Sequence, residues 1–302
     1  MTESLEAALE EPVFGDIQRI YRAVSQEVVG RDAQLRGLLA VLAAGRNMLL
    51  EGPPGTGKST VLRAVTRHCG IPLMLVEGNA EMTPQKMIGY HDPAAVLRHG
   101  YRPEDFVLGP LPEAMARGGF LYIEEFNRLP EDTLNTLLTA MAERELHVPR
   151  YGVVPAAGTF RVVAAMNPFD NIGTGRVSVS MCDRLCRLAI GYQTEQEEIE
   201  IVRRNAPEAD DRLIAFAVRV VRCTRESSGL RSGASIRAAI DLVLVAGALT
   251  GLAPVRGSLL DAAVLAVSSK VVADEVTQRT ADDVIREITR SVADDFGLEA
   301  DP

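Results

Sequence analysis

Apolar and polar residues alternate along this chain with two different periods, and the period changes near the middle. From Phe14 to Val28, the residues Ile17, Ile20, Tyr21, Val24 and Val28 recur at helical spacing. A turn, "VVGRD", follows, and "AQLRGLLAVLAAG" predicts a second helix stopped by Gly45. Next come short apolar runs of strand length, "NMLLEG", "PLMLVEG", "GGFLYIEEF", "FRVVAAMNP" and "CRLAIGY". Helical segments separate the first of them: "KSTVLRAVTRHCG" after the first run and "PEDTLNTLLTAMAERE" after the third. In the latter, Pro130 stands at the first turn with acids beside it, which suits the positive end of the helix dipole. Strands alternating with helices predict an α/β fold with a parallel, doubly wound sheet.

Beyond about Thr194 the period is helical throughout, in "TEQEEIEIVRRN", "DRLIAFAVRVVRCTRES", "GASIRAAIDLVLVAGALTG", "RGSLLDAAVLAVSSKVVAD" and "TADDVIREITRSVADDFG". No strand pattern stands out among them. The expected organisation is a flexible tail over 1–12, an α/β core over 13–193 and a small all-helical domain over 194–302.

Composition narrows the function. A chain of 302 residues, 47% apolar, can bury a substantial core. No apolar run reaches the roughly 18 residues a membrane helix needs. The acidic start, "MTESLEAALEEP", lacks the order of a signal peptide, so a cytoplasmic protein with no membrane insertion is expected. A net charge of −9 argues against sequence-independent duplex binding, which needs a basic face. The absence of tryptophan argues against base-stacking platforms. Cys69, Cys182, Cys186 and Cys223 form no paired C-x-x-C knuckle and read as reduced thiols.

Two motifs carry chemistry. In "LLEGPPGTGKST", Gly52, Gly57, Lys58 and Ser59 complete G-x-x-x-x-G-K-S between a predicted strand and a predicted helix. The stretch Gly52, Pro53, Pro54, Gly55, Thr56, Gly57 can curl its N–H groups around phosphates, with Thr60 at the helix start. Lys58 can reach the terminal phosphates, and the Ser59 hydroxyl can ligate Mg²⁺. The second motif is "FLYIEEF": Glu124 suits the metal side and Glu125 can polarise an attacking water. Neighbouring residues of a strand point to opposite faces. Where the chain leaves the sheet, however, both can line one crevice.

Together these residues resemble the AAA+ ATPases, and within them the MoxR branch related to the magnesium-chelatase ATPase subunit. "VVGRDAQLRGLLAVLAAGRNMLLEGPPGTGKS" is similar to that family's entry into its P-loop, which implies that Val29 and Gly30 flank the nucleotide. "FVLGPLPEAMARGGFLYIEEFNRLPEDTLNTLLTAMAERE" resembles its Walker B segment, usually D-E-x-N-R, with Glu124 here where Asp is usual. The resemblance implies a P-loop AAA+ core with a helical lid, binding ATP and Mg²⁺. It makes Asn167 the sensor that orients water beside Glu125. It makes Arg184 in "SMCDRLCRL" a finger reaching the neighbouring subunit's nucleotide; the choice over Arg176 and Arg187 rests on the resemblance alone. Arg237 becomes the sensor at the start of a lid helix. Two inserts, "IGYHDPAAVLRHGYRPEDFVLGP" and "ELHVPRYGVVPAAGTFR", are expected as hairpins. The implied function is an ATP-hydrolysing chaperone that remodels or metallates a client. It would act as a homo-oligomeric ring, expected to be hexameric, with a von Willebrand A-domain partner. Glu124 is expected to allow hydrolysis at a reduced rate. Alternatives are a magnesium-chelatase-like subunit, a nucleic-acid-linked motor and an ATP-binding scaffold with little turnover.

Overall fold

The computed structural model describes residues 16–168, 177–252 and 258–298. They fall into two compact units. One runs to Pro53 and resumes over Gly57–Gly191; the other takes Pro54–Thr56 and the chain from Tyr192 onward.

The first unit opens with helices α1 (Ile17–Glu27) and α2 (Asp32–Ala43). Strand β1 (Asn47–Glu51) leads through the glycine loop into α3 (Lys58–Cys69), which Gly70 ends in a left-handed turn. Strand β2 (Leu73–Glu77) is followed by α4 (Pro84–Ile88), β3 (Gly89–His91), α5 (Pro93–His99), β4 (Phe106–Leu108) and α6 (Pro110–Arg117). Then come β5 (Phe120–Glu124), α7 (Glu131–Glu143), β6 (Glu145–Val148), β7 (Gly152–Pro155), β8 (Arg161–Met166), α8 (Val179–Cys182) and β9 (Leu185–Ala189).

Five of these strands form one sheet in the order β2-β5-β8-β1-β9, and every neighbouring pair is parallel. The alternation read from the sequence explains its two buried faces. Met48, Leu50, Phe120, Tyr122, Val163 and Ala165 pack with Val24, Leu38 and Leu62 of the first three helices. The intervening Leu49, Leu121, Ile123, Val162 and Ala164 pack on the other face with Met87, Met115 and Leu137 of α4, α6 and α7.

The two inserts differ from each other. The second is the expected hairpin, β6 against β7. The first is not a plain hairpin: β3 and β4 pair antiparallel, but α5 and a 3-10 turn at Pro103–Asp105 fill the connection. Asp92 caps α5 through the Ala94 N–H at 2.8 Å, and Pro93 sits at its first position, a start signal masked by the short length.

The second unit holds α9 (Glu195–Asn205), α10 (Asp211–Glu226), β10 (Leu230–Ser232), α11 (Ile236–Leu252), α12 (Ser258–Val267), β11 (Val272–Ala273) and α13 (Ala281–Phe296). Val202, Phe216, Val220, Leu242, Val267 and Ile285 share its core. The helical reading of this region needs one correction: β10 and β11 pair antiparallel, Leu230 with Ala273. Strands of two and three residues are too short for a period-2 pattern to register.

Candidate functional site

The glycine loop sits where the parallel strands end. Gly52 N–H donates to Met166 O at 3.1 Å, and Ile190 N–H donates to Glu51 O at 2.8 Å. The loop therefore leaves β1 fixed between the ends of β8 and β9. Gly57 adopts the left-handed region (φ 80°) and begins α3, as a loop folding its N–H groups inward requires. Lys58 Nζ donates to Gly52 O and Pro53 O, both at 2.8 Å, so its ammonium lies along the inner side of the loop. Thr56 is buried, Ser59 half-buried and Thr60 exposed.

Ser59 and Glu124 are 65 residues apart and meet directly: the hydroxyl donates to Glu124 Oε1. Strand periodicity explains the meeting. Phe120, Tyr122 and Glu124 share the face of β5 that packs under α3, whose first turn carries Ser59. Tyr122 OH lies 3.1 Å from the same Ser59 oxygen. Burial holds this phenol's pKa above the ordinary range; the Ser59 hydrogen bond draws it back and the Glu124 charge pushes it further up.

Glu125 leaves the strand. Its backbone is left-handed (φ 50°, ψ 43°) and it caps the 3-10 turn Phe126–Arg128. This conformation is strained for a residue with a Cβ. It turns the chain out of the pleat so that Glu125 follows Glu124 without facing the core. Its Oε2 stands 3.3 Å from Arg128 Nε, an ion pair without hydrogen-bond geometry. With no hydrogen bond to it, that oxygen can still accept from a water beside the Arg128 guanidinium. The strand end is held from the next strand by Gly78: its N–H donates to Glu124 O at 2.8 Å, and a Cβ there would lie 2.4 Å from Glu125 O.

Asn167 follows the last residue of β8, the strand between β1 and β5. The buried Asn127 amide faces its carbonyl at 3.5 Å. The turn with Val29 and Gly30 (φ 64°) is pinned by the buried Arg31, whose Nη2 donates to Gly191 O at 2.9 Å. Lys58, Ser59, Glu124, Glu125 and Asn167 thus gather at the C-terminal ends of three adjacent strands. The donor set suits Mg²⁺, with a hydroxyl and a carboxylate oxygen in direct contact beside a lysine-lined loop.

Arg184 is not among them. It is exposed, donates to Ser180 O at 2.9 Å and precedes β9, at the opposite end of the sheet from the glycine loop. Arg187 is engaged in an ion pair with Glu51, and Arg176 lies outside the described residues. Arg237 belongs to the second unit, exposed in the first turn of α11, and Pro54, Gly55 and Thr56 group with that unit too. Tyr122, Gly78 and Arg31 have no role in the sequence reading, and Asn127 enters it only as the asparagine of the D-E-x-N-R pattern. Tyr122 had a visible signal, two residues before Glu124 on the same strand face.

Residues 47–185 match the AAA domain of the dynein-related subfamily. The chain is 28% identical to the chaperone MoxR1 of Mycobacterium tuberculosis, covering 80% of this chain and 70% of that one. It is 29% identical to the gas vesicle ATPase GvpN1 of Halobacterium salinarum, covering 84% and 76%. Its fold is similar to that of the Holliday junction branch migration motor RuvB of Thermotoga maritima, with a TM-score of 0.52 at 18% identity over 90% of this chain and 83% of that one. The chain thus carries an AAA domain of the dynein-related subfamily over residues 47–185, with MoxR-type proteins among its sequence relatives.

Proposed function

We propose that this protein hydrolyses ATP and uses the cycle to remodel or mature a client protein or complex, as a MoxR-type chaperone. The observation that carries the reading is the Ser59–Glu124 contact beside Lys58, with Glu125 turned out of the strand directly after it.

The loop 52–57 and the α3 N-terminus would receive the phosphates, and Lys58 would exchange its loop carbonyls for phosphate oxygens. Ser59 and Glu124 would hold Mg²⁺, which supplies neutralisation of charge on the phosphates. Glu125 accepts the proton of the attacking water, and Asn167 orients that water. Val29 and Gly30 would flank the base, and Arg237 would bind phosphate from the second unit. Arg184, unable to serve its own loop from the far end of the sheet, would act on the nucleotide of the next copy. Hydrolysis then depends on a homo-oligomeric ring, read as a hexamer. The named relatives, a chaperone and a gas vesicle ATPase, support an assembly role. A von Willebrand A-domain protein is the partner we expect to copurify. The likeness to RuvB is one of fold, and the −9 net charge gives no separate support for a nucleic-acid motor.

The test is steady-state phosphate release with nucleotide binding measured in parallel. Wild type should turn over ATP, with specific activity rising as protein concentration rises. Glu125→Gln should bind ATP normally and lose roughly a hundredfold or more in turnover. Lys58→Ala should lose binding as well. Equal, near-zero rates for wild type and Glu125→Gln sink the hydrolytic reading.

A further inference from the structure

Arginine stands at the start of β8 and immediately before β1 and β9, three adjacent strands of the central sheet. Met48 pairs with Val163 and Asn47 pairs with Leu185, so Arg161, Arg46 and Arg184 line up across β8, β1 and β9. Neighbouring strands lie about 4.8 Å apart, so this is a continuous row. Arg144, left-handed (φ 56°) at the end of α7, joins it from behind.

The four side chains differ in freedom. Arg144 donates to Ala157 O at 2.6 Å, and Arg161 donates to Gly158 O at 2.7 Å and Phe160 O at 2.6 Å. Both are half-buried and fixed. Arg46 and Arg184 are exposed. Among the described residues, no carboxylate lies within ion-pair distance of any of the four, although many other arginines of the chain are so paired. Arg161 Nε is also buried with no hydrogen-bond partner. Burial, then the charges of Arg144 and Arg46, hold its guanidinium below the usual range, a sign of uncompensated positive charge. Concentrated cation without local anion is a surface built for an anion supplied from outside.

The row cannot serve its own glycine loop. β1 separates them by five residues, about 16 Å. A head-to-tail contact between copies brings one end of the sheet to the other end of the next. We propose that the row is a single cationic edge facing the neighbouring copy's nucleotide, and that Arg46 is a second arginine acting in trans on its phosphates beside Arg184. Arg144 and Arg161 supply fixed positive potential behind them. This rests on the ATP-hydrolysing reading above and adds a residue which that reading does not use.

The test is ATPase kinetics on the full chain. Arg46→Ala should fold normally and bind ATP as wild type does, with KM little changed and kcat down about tenfold or more. Arg46→Lys should recover part of the loss. Adding Lys58→Ala, inactive in its own loop but bearing an intact Arg46, should raise the rate per Arg46→Ala chain. Arg46→Ala at the wild-type kcat, or a fall that Lys58→Ala does not rescue, overturns the role of Arg46 alone. A wild type without turnover at any protein concentration overturns the hydrolytic reading, and this inference with it.

Discussion

The residue that most constrains the acidic strand end is a glycine on the strand beside it. Gly78 follows β2, and its backbone lies against the peptide joining Glu124 and Glu125. A methyl there meets backbone oxygen at 2.4 Å, which no side-chain rotation relieves. Gly78→Ala should lower stability by about 1–3 kcal/mol, the usual range for overpacking, read as a shifted denaturant midpoint. It should also cut turnover by more than the stability loss explains, because the displaced atoms belong to the carboxylate-bearing turn. Glu124 itself is unusual in its length. In this chain its carboxylate reaches the Ser59 hydroxyl directly.

At the level of elements, the second unit is tied together by a buried charge network rather than by apolar contact alone. Glu198 of α9 is 1% exposed and accepts from Arg222 Nη1 at 3.0 Å and Arg225 Nη1 at 2.7 Å. Arg225 also donates to Ala234 O at 2.9 Å and lies over the Tyr192 ring at 3.8 Å. It thereby joins α9, α10 and the segment that starts α11. Removing the acid takes the shared carboxylate from the largely buried Arg225 and the partly exposed Arg222. Glu198→Ala should cost about 3–5 kcal/mol by chemical denaturation, several times the cost of Glu200→Ala in the same helix, an exposed acid paired with Arg203 and Arg204.

Elements of strong period were legible in the sequence, and short ones were not. The five sheet strands and the long helices repeat their pattern often enough to be read, as in Phe120–Glu124 or Asp211–Glu226. The helix Pro93–His99 inside the first insert and the Leu230–Ser232 strand carry too few turns or pleats. The phosphate loop was legible because glycine, lysine and serine stand at fixed spacing. The support beneath it was not. Tyr122 looks like any apolar strand residue until the sheet sets it against α3, and Gly78 looks like any loop glycine until β2 and β5 pair.

Over the whole molecule, the parallel sheet separates two kinds of chemistry by its length. The groups proposed to receive phosphates collect at one end of the strands, and arginines without an ion-pair partner among the described residues at the other. A single copy holds both halves and can bring them together only through a second copy. The Tyr122–Ser59 contact has an optical consequence as well. The chain has no tryptophan and six tyrosines, so its near-ultraviolet absorption comes chiefly from phenols. One of them touches the hydroxyl that would turn toward Mg²⁺. Adding Mg²⁺ and ATP should therefore produce a tyrosine difference spectrum in the native chain that is reduced in Tyr122→Phe, giving the site a label-free reporter that needs no turnover to be read.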